Sequence, residues 1–548
     1  MTGVVLENLS WKKLSFLGIC LLLLQLAFFL IGGLVAPAPS NVVTVIGTKC
    51  YDRGSVLHRN RWFIPRGRNA CESLDSLDSS DAKIVDESIT EKQVVFSFWI
   101  PGPRDGAERQ MHPIFQSMLG VLDLDIEFDP ANPVGREPTL QLDIRMGVRN
   151  KDDREDDWKL LAESVEDRTL QCALPAHDKA KGAYYNCELL QLFELGSVHH
   201  HFYLVNIRLP VNFVKGYNVG IGKVIDLTIH TIHQNGGFSY VWFSMKSAMF
   251  PMVLLVLVWF WRRITQLDRP ANLLERTLFS LGIAMSILNL PLEWFSLSFN
   301  TPFMVLLNDI RQGGFYAMLL SFWIIFAGEH ILDTVERNRL NLYWKHLSAV
   351  VFGCICLFIF EMCERGIQLK NPFFSIWVSA VGTKLALAFL ILAGIAACCY
   401  FFFLCYMIFC VFRTIGTKRA SLASMTSLRK SYYMGLIYRF KFLMILTLIC
   451  AALTVVFFIL SQFSEGYWKW ADNEQRLEYS SAFFTGVYGM WNVYVFGLLS
   501  LYAPSHKTVV EIDAGDGSSE ETVQLTDLPV TPTEASALQS FVSKAAQD

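Results

Sequence analysis

LSFLGICLLLLQLAFFLIGGLV, residues 14–35, runs for 22 residues without a charge and follows directly on Lys12 and Lys13. A bilayer's hydrocarbon core needs roughly 20 apolar residues in a helix. The apolar part of a signal peptide is shorter, about 7–15 residues, so the run is expected to remain as an uncleaved anchor. The small residues Ala36-Pro37-Ala38 leave a cleavage site open, and cleavage there would give a seven-span chain. After this run comes a polar stretch that holds four cysteines, and only then do apolar segments return.

They recur at 247–261, 277–292, 312–328, 347–360, 385–412, 442–464 and 479–505. With the first run this makes eight spans in an α-helical polytopic membrane protein. The 548 residues, mean hydropathy of +0.34 and 14% aromatics fit that class and exclude a disordered chain. A net charge of −3 argues against nucleic acid as a partner.

Orientation follows from the short loops, because Lys and Arg accumulate on the cytosolic side. The N-terminus and loops 262–276, 328–346 and 413–441 carry sixteen of them, against five in loops 293–310, 364–384 and 461–481. Both termini are therefore expected in the cytosol. The expected organisation is a cytosolic N-terminus (1–13), a first span (14–35), a lumenal or extracellular β-rich domain (36–240), a seven-span bundle (241–504) and a disordered cytosolic tail (505–548) rich in Ser, Thr, Asp and Glu.

In the polar insert, Leu122, Leu124, Ile126 and Phe128 alternate with Asp123, Asp125, Glu127 and Asp129, and Leu140, Leu142, Ile144, Met146 and Val148 repeat the period. Period two marks half-buried strands. Residues 94–100, 202–209 and 224–232 add further strands, so a β-sandwich-like domain is expected. Cys50, Cys71, Cys172 and Cys187 are its only cysteines; the local pairings 50–71 and 172–187 are favoured over the two alternatives because they close short loops. Asn235-Gly236-Gly237 reads as a turn or hinge ahead of the second span.

The acidic alternation at Asp123, Asp125 and Glu127 is what a solvated sheet face supplies, so no calcium site is expected. His199-His200-His201 cannot converge on one ion from a strand, because consecutive side chains point to opposite faces. Zinc-ligand spacings, nucleophile elbows and phosphate-cradling glycine loops are missing from the sequence, so no metal, cofactor or catalysis is expected.

The ends of the spans on the insert's side carry Lys246, Glu293, Asp309, Arg311, Glu361, Glu364 and Lys384. Ionisable groups at membrane depth usually face a bundle interior or a wet cavity. A polar mouth beneath the outer domain is expected, with Glu293 paired to Arg311. Asn289-Leu290-Pro291 interrupts helical bonding, and Tyr316, Tyr488, Trp491, Asn492 and Tyr494 offer amphipathic walls for a lipid-sized cavity. On the cytosolic side, loop 413–441 has seven basic and no acidic residues, which suits anionic membrane lipids. It contains Tyr433-Met434-Gly435-Leu436, the form that clathrin-adaptor subunits read as an extended strand.

Long stretches carry a resemblance as well. Asn206-Ile-Arg-Leu-Pro-Val-Asn212, Ile232-His-Gln-Asn-Gly-Gly-Phe238, Asp309-Ile-Arg-Gln-Gly313, Tyr316–Phe326, Met362-Cys-Glu-Arg-Gly366 and Phe483-Phe-Thr-Gly486 with Tyr488-Gly-Met-Trp-Asn492 are similar to the Wntless family over nearly the whole chain. That resemblance implies an anchor plus a seven-helix bundle like that of G-protein-coupled receptors. It also implies a cargo receptor that binds acylated Wnt proteins and carries them from the endoplasmic reticulum through the Golgi to the cell membrane. Recycling through endosomes with clathrin adaptors and retromer-type machinery is implied too, with Tyr433 and Leu436 as the endocytosis signal. The family's C-terminal retrieval signal is matched only in part by Lys544-Ala-Ala-Gln-Asp548. Two further classes, a G-protein-coupled receptor and a lipid transporter, stay open, although the sequence lacks receptor signatures and internal repeats.

Overall fold

The computed structural model describes residues 4–9, 11–52, 71–75, 77, 84–85, 89, 93–103, 108–174, 182–267, 269–331, 338–376, 378, 380–421, 427–468, 475–505, 510–511 and 522–523. The tail beyond 523, with its retrieval signal, lies outside them. Eight helices are long and apolar enough to cross a membrane. They are α1 (Trp11–Leu30, extended by a π-helical turn Ile31–Val35), α2 (Gly236–Thr265), α3 (Leu273–Asn289), α4 (Met304–Ile331), α5 (Trp344–Gln368), α6 (Ala380–Ser421), α7 (Ser427–Trp468) and α8 (Gln475–Leu501).

Helix α8 packs on α1, α2 and α3, while α4 packs on α3, α5 and α6, so these two helices form the centre of the bundle. Its core includes Phe260, Met285, Phe322, Trp323, Val411, Met444 and Val495. Helix α1 approaches α8 closely because small residues let backbones meet, the usual basis of helix association in lipid. A Cβ on Gly32 would lie 2.0 Å from Thr485 Oγ1 and 2.5 Å from Ala482 Cα. At the far end of the bundle, Leu6 is buried in the helical core. Val5 N donates to Ala503 O at 2.8 Å and Arg439 Nη1 to Leu6 O at 2.9 Å, so the N-terminal segment is tied to the bundle there.

Between α1 and α2 lie β1 (Ser40–Ile46), β2 (Thr48–Tyr51), β3 (Glu72–Ser73), β4 (Val94–Ile100), β5 (Met118–Glu127), β6 (Thr139–Arg149), β7 (Lys159–Thr169), β8 (Cys172–Ala173), β9 (Asn186–Cys187), β10 (Leu190–Leu195), β11 (Phe202–Arg208) and β12 (Lys223–Gln234). A four-stranded sheet, β1-β12-β5-β10, faces a six-stranded one, β3-β2-β4-β11-β6-β7, and every pairing is antiparallel. Alternate residues of both sheets, Leu122, Leu124 and Ile126 against Leu142, Ile144 and Met146, fill the space between them. The expected sandwich is present. Both favoured disulfides, Cys50–Cys71 and Cys172–Cys187, are formed.

Two local expectations are corrected. Asn235 is a helix cap: its side chain accepts from Gly237 N at 2.9 Å, and β12 passes into α2 with that one residue between them. Asparagine wins there because its carbonyl satisfies an orphan amide of the first helical turn. The stretch expected as a loop at 413–441 is helical up to Ser421 and again from Ser427. Its leucines, methionines, lysines and arginines are good helix formers, and each adjoining span supplies the costly nucleus. Tyr433–Leu436 therefore has a helical backbone, whereas adaptor recognition needs an extended one; the Tyr433 and Leu436 side chains lie outside the described residues.

The sandwich is open along one side. There, β7 turns Ala162, Ser164, Glu166 and Arg168 toward the interior, opposite the apolar Met146, Ile144, Leu142 and Leu140 of β6. The loop between α5 and α6 closes the gap. Phe373, 1% exposed, belongs to the sandwich core although its chain belongs to the bundle. Arg168 Nη2 donates to Phe373 O at 2.7 Å, Asn371 Nδ2 to Glu166 Oε1 at 2.9 Å, Ser375 Oγ to Gln191 Oε1 at 3.0 Å and Glu194 N to Pro372 O at 2.8 Å. Phe373→Ala is expected to cost about 3–5 kcal/mol, the usual range for a buried phenylalanine. Thermal unfolding in nanodiscs measures this, with faster amide exchange in β7 and β10 as the local signature.

Candidate functional site

Three structures bear on the site, two at the boundary between sandwich and bundle and one inside the bundle. The first is an ionic triad. Helix α3 ends at Asn289, Pro291 prevents its continuation, and a 3-10 turn Leu292–Leu297 follows. That turn presents Glu293, whose Oε1 accepts from Lys246 Nζ of α2 and from Arg311 Nη2 of α4, each at 2.6 Å. Arg311 also donates to Leu290 O at 2.7 Å, satisfying the carbonyl that the proline break frees, and to Asn308 Oδ1. The Lys246 ammonium lies 5.5 Å over the Trp242 ring. The side chains are 7%, 3% and 4% exposed for Lys246, Glu293 and Arg311. The expected pair is therefore made beneath the surface, away from an open mouth. Two cations share one carboxylate, and Glu293 Oε2 and Arg311 Nε have no hydrogen-bond partner among the described residues.

The second is a polar seam within the bundle. Asn289 Nδ2 donates to Asn492 Oδ1 at 2.6 Å, Tyr488 OH to Asn289 Oδ1 at 2.7 Å and Asn492 Nδ2 to Tyr488 O at 2.9 Å. Trp491 meets Tyr316 edge-on at 5.1 Å between centroids and Phe315 at 5.7 Å, and its Nε1 points at Thr454 Oγ1 at 3.5 Å. Tyr494 OH contacts Trp323 Nε1 and Thr447 Oγ1, both at 3.0 Å. The break after Asn289 is real, but the asparagine amides and Tyr488 fill it. These residues pack one another where an open cavity had been expected.

The third is a cleft of about 180 Å³ between the two parts of the chain. Its lining mixes apolar residues, Leu195, Val305, Leu306 and Leu369, with polar ones, Glu194, His199, His200, Tyr203, Arg365 and Lys370. Arg365 of α5 pairs with Glu194 of β10 and reaches Asp309 of α4 at 3.9 Å. Asp309 thus stands beside this cleft, separated from the triad. Sequence reasoning missed Arg365, Glu194, Arg168 and Phe373; only the Met362-Cys-Glu-Arg-Gly366 stretch contained one of them.

Among the described residues, no group of three or more His, Cys, Asp or Glu side chains stands close enough to hold a metal. The acidic face of β5 has partners of its own: the Lys223 ammonium lies 2.9 Å from Glu127, and the His230 ring 3.5 Å from Asp123. Burial, helped by Asp123 and Asp226, raises the Asp125 carboxyl above the usual carboxylate range.

Two families match the chain: that described as Wntless, GOLD domain, over residues 48–234, and that described as Wntless-like, transmembrane domain, over residues 235–506. The chain belongs to the Wntless family. It is 50% identical over 532 residues to the protein wntless homolog of Gallus gallus and 48% identical over 532 residues to that of Homo sapiens, in both cases over 96% of each chain. It is also 48% identical over 568 residues to protein wntless of Drosophila virilis, over the full length of both. The GOLD domain is thus the sandwich, and the Wntless transmembrane domain runs from the Asn235 cap to the end of α8.

Two outcomes follow from these geometries. Glu293→Gln leaves Lys246 and Arg311 facing each other without a counter-charge, and breaking a buried pair this way costs about 3–5 kcal/mol; unfolding in detergent measures it. Burial, with His199 next, lowers the His200 imidazole below the usual histidine value, against the pull of Asp153, and burial with Arg109 lowers His233. A depressed folded value means that the unfolded chain binds protons first. The stability is therefore present above about pH 6.5 and is lost as pH falls through that value. Thermal midpoints of the full chain are expected to fall between about pH 7.5 and 5, and His200→Asn with His233→Asn flattens the slope.

Proposed function

We propose that this chain is a membrane cargo receptor that binds lipid-modified Wnt proteins in the secretory pathway and escorts them to the cell surface. On this reading the GOLD domain is lumenal and both termini are cytosolic, which the charge bias of the short loops supports. The single observation that carries the proposal is the cleft between β10, α4 and α5. Apolar and charged side chains line it together, and it lies where the helices long and apolar enough to cross a membrane meet the β-sandwich.

A lipid-modified protein has two parts that prefer different solvents. An acyl chain left in water forfeits about 0.8 kcal/mol per CH₂, so a carrier must offer it an apolar channel while holding the polypeptide outside. We assign the acyl chain to the apolar residues of the cleft and the polypeptide to its polar ones. Tyr316, Trp491 and Tyr488 would line the chain's path after a rearrangement of the packed seam, and the triad Lys246–Glu293–Arg311 would hold the helices around it. Return through endosomes and the Golgi is part of the proposal. It requires α7 to unwind around Tyr433 before an adaptor reads it.

The test is co-purification with an acylated Wnt and with its unacylated mutant. Recovery of the acylated form should exceed the other by at least about tenfold, or about 1.4 kcal/mol. Equal recovery of both removes the acyl-binding role of the cleft.

A further inference from the structure

The outer edge of the six-stranded sheet has no use in the reading above. Strand β7 is the last strand of that sheet, paired with β6 on one side only, and it runs for 11 residues. Among the described residues no segment pairs with its other edge. A long unpaired strand presents a row of free amides and carbonyls, the template on which another chain adds a strand. The bulge near Leu161 interrupts the ladder only at the start, and from Glu163 to Thr169 the register with β6 is continuous.

The side chains say what kind of strand would fit. On the face turned from the sandwich interior, Leu161, Glu163, Val165 and Asp167 alternate apolar with acidic. All four are exposed, Leu161 and Val165 by 41% and 59%. From Lys151 to Arg168, the β6–β7 turn and β7 hold eight acidic residues against four basic ones. Two of the four basic residues are already committed, Lys159 to Asp153 at 3.0 Å and Arg168 to Glu166 at 3.3 Å. On the outer face Glu163 pairs with Arg145 of β6 at 3.1 Å and Asp167 accepts from Gln141 Nε2 at 2.9 Å, and the acidic excess that remains is concentrated in the β6–β7 turn at Asp152, Glu155, Asp156 and Asp157. Opposite charges directly across an antiparallel pair stabilise it, and like charges oppose it. The edge is also continuous with the cleft, because Leu161 and Ala162 form part of the cleft wall.

We infer that the free edge of β7 is a strand-addition site for a basic, amphipathic extended segment of the cargo polypeptide. The inference rests on the cargo reading above and deepens it: the cleft takes the acyl chain, and β7 takes a length of backbone beside it. Recognition is then shared between a part that depends on lipid and a part that depends on main-chain pairing and charge.

Hydrogen exchange on the full chain in nanodiscs, with and without a bound acylated Wnt, tests it. Pairing should slow exchange of the free-edge amides between Lys159 and Asp167 by about tenfold or more and leave the opposite edge at β3 unchanged. The double variant Glu163→Lys, Asp167→Lys should lower recovery of acylated and unacylated Wnt alike, by a factor that shrinks as salt is raised. Acyl-dependent capture of the Wnt with unaltered exchange in β7 overturns the strand-addition site and leaves the cargo reading standing. Failure to capture the acylated Wnt at all, with the variants untouched, overturns the cargo reading and the site with it.

Discussion

Phe373 holds the molecule together as one body. A β-sandwich closes when both sheets turn apolar residues inward along every strand, and β7 does not: Ser164, Glu166 and Arg168 occupy its inner face. Left alone, that side would expose the core and strand a buried guanidinium. The α5–α6 loop resolves both problems, since Phe373 fills the apolar gap and its carbonyl receives Arg168. Breaking such an arrangement by removing one partner is expensive because the other stays buried without compensation. The domain is thereby held on the bundle at the ends of α4 and α5, and the cleft between them keeps its shape.

The bundle uses charge differently. A buried carboxylate bound by two cations gains little net stability over well-packed apolar residues, since desolvation offsets most of the attraction. What the triad supplies is position. Lys246, Glu293 and Arg311 come from α2, the turn after α3, and α4, and their hydrogen bonds hold only at one mutual placement. Arg311 also answers the Leu290 carbonyl left by the proline break, which ties the broken helix to its neighbour. The asparagine–tyrosine seam does the same between α3 and α8.

Much of this was legible in the sequence, for identifiable reasons. Hydropathy located all eight spans because the membrane requires long uncharged runs. Period-two alternation marked β4, β5, β6, β11 and β12, whose inner and outer faces differ sharply. It missed β7, whose inner face is polar because a distant loop completes it. The Glu293–Arg311 pair was legible from charges at neighbouring span ends. Phe373, Arg168 and Arg365 were not, since each derives its role from a partner more than 150 residues away that no local pattern announces. The basic stretch at 413–441 misled through composition, because charge implies water but says nothing against a helix that continues beyond the membrane.

The open sandwich edge and the cleft share a cause. Closing the domain with the bundle's own loop leaves β10 bonded to that loop through Glu194 N, while β7 meets the loop only through inward side chains. One edge is consumed by the joint and the other stays free, a few residues from the cleft. A self-contained sandwich that covered its own edges would have neither feature. The joint that fixes the domain's position therefore also sets the distance between the free edge of β7 and the cleft, so neither can move relative to the other without breaking the contacts at Phe373 and Glu194.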